Sequence, residues 1–136
     1  MIIGEFILDT ELTARKQILE AYRESRLFYE SIRSPIELPA AMSEAIKKMK
    51  QQLDRGGDVV AKVCLEFKQG TIKLTTSEGS TIYSVDSSVD LPDWGVSLDL
   101  TPEDRERVNW KVFLHEPVLA IDSIDGISLY VFRRRG

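Results

Sequence analysis

Gly56-Gly57, followed by Val63-Cys64-Leu65-Glu66-Phe67, Gln69-Gly70 and Thr71-Ile72-Lys73-Leu74-Thr75, is where the chain changes its hydrophobic period. Val63, Leu65 and Phe67 alternate with Lys62, Cys64 and Glu66, the two-residue repeat of a strand with one buried face. A second break, Glu78-Gly79, leads into Thr81-Ile82-Tyr83-Ser84-Val85. Strands joined by such short breaks predict a three-stranded antiparallel meander, since glycine readily supplies the positive φ of tight hairpin turns.

Upstream of Gly56 the period is helical. Met42, Ile46, Met49 and Leu53 recur at spacings of four, three and four, predicting a helix from about Ala40 to Arg55 that the glycine pair stops. Pro35 and Pro39 bracket a connector and end an earlier helix near Arg33, because proline disfavours a helical residue before it. That earlier helix reads as continuous from Asp9-Thr10-Glu11, with Ala14, Ile18, Ala21, Ser25, Phe28 and Ile32 on its apolar face. Leu27 is then expected to project away from that face. Ile2 to Leu8 read as an opening strand.

Asp86 to Leu100 read as the longest irregular stretch, because Asp86, Asp90, Asp93 and Asp99 fall there with Pro92, Trp94 and Gly95. Thr101-Pro102-Glu103-Asp104 resemble a short helix start. Val108, Trp110, Val112 and Leu114 alternate as a strand, Val118 to Asp122 follow as another after Pro117, and Asp125-Gly126 turn into a last strand, Ile127 to Phe132. The order β-α-α-β-β-β-(α)-β-β-β predicts one compact α+β domain over residues 1–136, with two N-terminal helices packed on a mainly antiparallel sheet of about six to seven strands. Phe28, Ile32, Ile46, Met49, Val63, Leu65 and Phe67 are expected to share one core.

Enzyme motifs are sparse. The chain has one cysteine, Cys64, and one histidine, His115, too few for a conventional zinc tetrad, and neither stands beside a recognisable catalytic partner. Asp86-Ser87-Ser88-Val89-Asp90 lacks EF-hand spacing, and no phosphate-binding glycine loop follows a strand. No catalytic residue, metal or cofactor is therefore assigned, and no tight divalent cation is expected on the aspartates. With no export signal, no membrane-spanning segment and a lone thiol, a cytoplasmic setting without membrane attachment is expected.

The leading expectation is a small binding or regulatory module that acts through protein contacts or through self-association as a homodimer. Leu27, Trp94, Trp110, Tyr130 and Phe132 are its candidate contacts, because aromatic and large apolar residues concentrate interface energy. The last strand is expected to offer a free edge for pairing with a second copy. The alternative is nucleic-acid binding through Lys47, Lys48 and Lys50 and through Arg133, Arg134 and Arg135, against which a net charge of −4 weighs. A third reading is a metal-independent enzyme with a cleft lined by Glu66, Asp86, Asp122 and Asp125.

Overall fold

A computed structural model describes residues 2–57, 62–92, 95–123 and 130–136. Eight strands form a closed barrel: β1 (Gly4–Leu8), β2 (Cys64–Lys68), β3 (Thr71–Thr76), β4 (Gly79–Leu91), β5 (Gly95–Pro102), β6 (Val108–His115), β7 (Val118–Ser123) and β8 (Val131–Arg134). Every neighbouring pair is antiparallel, and β8 returns to β1 with Phe6 opposite Arg134 and Leu8 opposite Phe132. Between β1 and β2 the chain inserts three helices, α1 (Thr10–Ala21), α2 (Ser25–Arg33) and α3 (Ala40–Arg55).

This corrects the expected α+β sheet of six to seven strands carrying two helices. Two features of the sequence concealed the barrel. Val96, Leu98 and Leu100 do alternate, but the aspartates and Pro92 nearby masked the pattern; Asp99 simply occupies an outward strand position, opposite Asn109. Within β4, the pairing passes from Val85–Leu100 to Ser87–Asp99, so Asp86 is an extra residue that reverses the alternation beyond it. Thr101 and Pro102 end β5, and the Thr101 hydroxyl donates to Asp86 across the pair, so no helix starts there.

The first helical segment also differs from expectation. Arg23 adopts φ 60°, its amide donates to the Glu20 carbonyl, and the Glu24 amide reaches the Leu19 carbonyl at 2.7 Å. This is a Schellman closure with arginine in the position glycine usually takes. The break resets the helical phase, so Leu27 turns inward and packs, partly buried, against the group around Phe28 and Phe113. By contrast, α3 spans Ala40–Arg55 as its apolar spacing predicts.

The barrel wall divides the buried residues into two cores instead of the single one expected. Val63, Leu65 and Phe67 fill the lumen with Phe6, Tyr83 and Trp110, among others. Phe28 and Ile32 belong to an outer layer, in which α1 and α2 cover Phe113, Val118, Ala120 and Val131 on the outward side of β6, β7 and β8. Ile46 is buried on α3, which lies mainly against α1. Inward and outward positions alternate along each strand, so one β-segment can serve both cores at once.

Candidate functional site

The lumen is packed rather than hollow: Phe6, Leu65, Tyr83, Leu100, Trp110, Leu119 and Ile121 are fully enclosed. Space opens at one end, where β4 and β5 run past the β2–β3 turn and the Val85 amide donates to the Gly70 carbonyl at 2.9 Å. There a crevice of about 500 Å³ is walled by Phe67, Ile72, Val85, Val96 and Leu98, with Ile2 at its side. Its polar members include Ser88 and Asp90.

The bulge at Asp86 determines that polarity. Val96 and Leu98 face inward, and Ser88 and Asp90 pair with Leu98 and Val96, so these two lie on the inward side of β4 and Val89 on the outward side, all three being exposed at this open end. Without the extra residue, simple alternation from Tyr83 and Val85 would put Val89 inside. Neighbouring acids are occupied elsewhere. Asp86 accepts from Thr101 and lies 3.4 Å from Arg107, whereas Asp99 accepts from Ser87 at 2.8 Å and from Asn109 at 2.9 Å. Hydrogen bonds from Asn109, then Ser87, hold the Asp99 carboxyl below its ordinary pKa. Asp90 has no ion pair or hydrogen bond among the described residues. At the turn end of the β4–β5 hairpin, Gly95 lies against β6, where an added Cβ would collide with the Val112 carbonyl.

A second polar group lies outside the barrel, beneath α1 and α2. The Lys16 side chain is completely buried; its ammonium donates to Asp122 at 2.6 Å and to Glu20, and it lies 5.7 Å from the Phe28 ring centre and 5.8 Å from that of Tyr29. The Tyr29 hydroxyl donates to the other Asp122 oxygen at 2.8 Å. Burial first, and the Asp122 charge next, raise the Tyr29 pKa far above its ordinary value. Every member has a partner, so the group anchors the helices to β7. Sequence patterning missed Lys16 because a lysine at a core position is indistinguishable from a solvated one until the acid facing it, 106 residues away, is known.

The candidate contact residues separate. Trp110 and Phe132 are fully buried inside the lumen, a correction to their expected place on a surface. They alternate with outward residues, and the closed wall encloses the side that an open sheet would expose. Tyr130 is half-buried and meets Phe132 edge-on at 6.4 Å. Leu27 is covered as described, and Trp94 lies outside the described residues. The expected free edge of the last strand is likewise corrected, because β8 is hydrogen-bonded to both β1 and β7.

The basic clusters are largely paired. Arg133 meets Asp9 at 3.1 Å, Arg134 meets Glu116 at 2.6 Å, Arg135 meets Glu5 at 3.3 Å and Lys50 meets Asp54 at 2.7 Å. Lys47 and Lys48 are exposed on α3 without an ion pair among the described residues. The acids of the third reading do not converge: Glu66 pairs with Lys68, Asp86 sits at the bulge and Asp122 lies under the helices, while Asp125 falls outside the described residues. Cys64 is half-buried on β2 and His115 is exposed at the end of β6, strands that are not neighbours. Among the described residues, no three His, Cys, Asp or Glu side chains are grouped to hold a metal ion, and no helix is long and apolar enough to cross a membrane.

The fold defines a class, the closed eight-stranded antiparallel barrel with an outer helical layer. Comparison with protein-family models, curated proteins and solved structures finds no match.

Proposed function

We propose that the chain is a binding protein for a small amphipathic molecule, held in the crevice at the open end of the barrel. The supporting observation is the pairing of an apolar wall with Asp90, an inward-side carboxylate unpaired among the described residues. A crevice of about 500 Å³ falls within the roughly 300–1,000 Å³ usual for small-molecule sites, where a few polar groups orient an apolar ligand. Eight-stranded barrels are wide enough to fill with side chains or hold one small ligand, and here the ligand takes the end that the side chains leave open. Asp90 selects a cationic or hydrogen-bond-donating head, while Phe67, Ile72, Val96 and Leu98 take the tail.

Calorimetry with decylamine, decanol and decanoate tests this reading. The amine is expected to bind most tightly and the carboxylate least. Asp90→Asn should lower amine affinity by roughly tenfold and leave the alcohol nearly unchanged. Ser88→Trp, which fills the crevice from its rim, should abolish binding of all three. Failure of all three to bind, or binding insensitive to Ser88→Trp, overturns the proposal.

Protein contact is a second reading, supported by the exposure of Ile3, Ile7, Tyr22, Ile82 and Val89. Charged neighbours interrupt this surface: Glu5 lies between Ile3 and Ile7, and Lys73 stands opposite Ile82.

A further inference from the structure

We propose that the free edge of β4 at Ser87–Leu91 docks an extended, basic peptide, which joins the barrel as an added strand. β4 outruns the strand beside it. Its pairing with β3 ends at Ser84 opposite Thr71, and the Val85 amide makes the last backbone bond on that side, to the Gly70 carbonyl at 2.9 Å. Pairing with β5 continues to Leu91 opposite Gly95, so Ser87–Leu91 is bonded along one side only among the described residues. The bulge at Asp86 precedes this stretch, which then pairs residue by residue with Asp99 back to Gly95. Its length of about 17 Å accepts a peptide of roughly five residues.

Register assigns the free groups. Val85 turns its amide toward Gly70 and away from β5, which makes Val85–Leu100 a non-hydrogen-bonded pair. With one extra residue at the bulge, alternation makes Ser87–Asp99, Val89–Ser97 and Leu91–Gly95 the bonded pairs. The N–H and C=O groups of Ser88 and Asp90 therefore point away from β5, at the two-residue spacing that an added strand requires. Room lies beside them, because the crevice is lined by Lys68, Gln69 and Gly70 at the turn and by Ser87, Ser88 and Asp90 on β4. A strand in that gap sets alternate side chains over the apolar wall and the others beside exposed Val89. Charge selects the partner. Residues 79–91 include Asp86 and Asp90 but no lysine, arginine or proline, so the usual guards of an open edge are missing. A second copy would bring the same aspartates to the pairing, whereas a peptide lysine meets the Asp90 carboxylate, which is unpaired among the described residues.

Titration of the intact protein with acetyl-Thr-Lys-Val-Ile-Thr-amide, followed in nitrogen-15 spectra, tests the assignment. Running antiparallel to β4, this peptide sets its lysine opposite Asp90 and its isoleucine opposite Ser88. Saturable binding is expected, and the Ser88 and Asp90 amides, fast to exchange in the free protein, should slow in the complex. N-methylation of the peptide's lysine and isoleucine, whose amides bond β4, should abolish binding. N-methylation of its valine, whose amide points the other way, should leave it nearly unchanged. Exchanging the peptide lysine for glutamate should weaken binding by roughly tenfold, a difference that Asp90→Asn removes. Absence of saturable binding, or equal affinity for the two kinds of methylated peptide, would overturn strand addition. Protection of Ser88 and Asp90 that rises with protein concentration, without peptide, would give the edge to a second copy and overturn peptide docking. Backbone groups carry this recognition, so failure of the decylamine series leaves it standing, and failure of the peptide leaves the crevice reading standing.

Discussion

Lys16 illustrates how a single buried residue can anchor a helical layer to the outside of a barrel wall. Its ammonium has no access to solvent and therefore depends on Asp122 and Glu20, which remain 33% and 27% exposed. Partial exposure of the acids moderates the loss when the lysine is removed, placing it between a surface pair and a fully buried one. Lys16→Met is expected to cost about 2 kcal/mol in denaturant unfolding, and Asp122→Asn added to it should recover part of that loss. Gly95 imposes the opposite demand, for space: at φ 155° it lies so close to β6 that any Cβ meets the Val112 carbonyl. Gly95→Ala should therefore lower the melting temperature and loosen the β4–β5 hairpin, observed as faster amide exchange from Val96 to Leu98.

Among the elements, the α1–α2 break has a clear energetic signature. A non-glycine residue in the left-handed region is disfavoured by about 1–2 kcal/mol, partly offset in Arg23→Gly by the added freedom of the unfolded chain. That variant is expected to gain up to about 1 kcal/mol in chemical denaturation, and an unchanged or lower stability would show that the Arg23 side chain contributes to the fold. The α3 helix has fewer buried residues than α1, with Ile46, 9% exposed, its one buried side chain among those described. Ile46→Ala should cost about 2–3 kcal/mol by leaving a void against α1. A loss within experimental error would mean that α3 docks through its edges alone.

For the molecule as a whole, pH dependence follows from groups at both ends of the scale. Hydrogen bonds from Lys50, Asn109 and Arg134 depress the pKa values of Asp54, Asp99 and Glu116, respectively. Their unfolded forms take up protons first, so the stability they confer is complete above about pH 5 and is lost as pH falls through about 4 and below. Tyr29 has its pKa raised, chiefly by burial. Its stabilisation is complete below the unfolded value of about 10 and is lost as pH rises beyond it. Unfolding free energy is expected to plateau between these limits, and Tyr29→Phe should lower the plateau while flattening the alkaline decline. Closure of the barrel removes the β8 edge as a route to self-association, so light scattering is expected to return the 15.5 kDa monomer. A dimer would require the outward faces bearing Ile3, Ile7 or Val89.

The sequence by itself determined the local periods: the α3 helix, the β2–β3–β4 meander and the strands around Trp110 and Leu119 were all legible, because each depends on contacts within a few residues or across one short turn. It also ruled out conventional zinc and phosphate-loop motifs. Only the tertiary structure decided that β8 returns to β1, that Trp110 and Phe132 face a lumen, and that Ser88 and Asp90 share the inward side of β4. Each depends on pairing between distant residues or on a one-residue bulge, and neither leaves a periodic trace. For the same reason the crevice and the buried Lys16 group were invisible in one dimension. Asp90 becomes distinctive only when its neighbours are seen to be paired, and Lys16 only when Asp122 is folded against it.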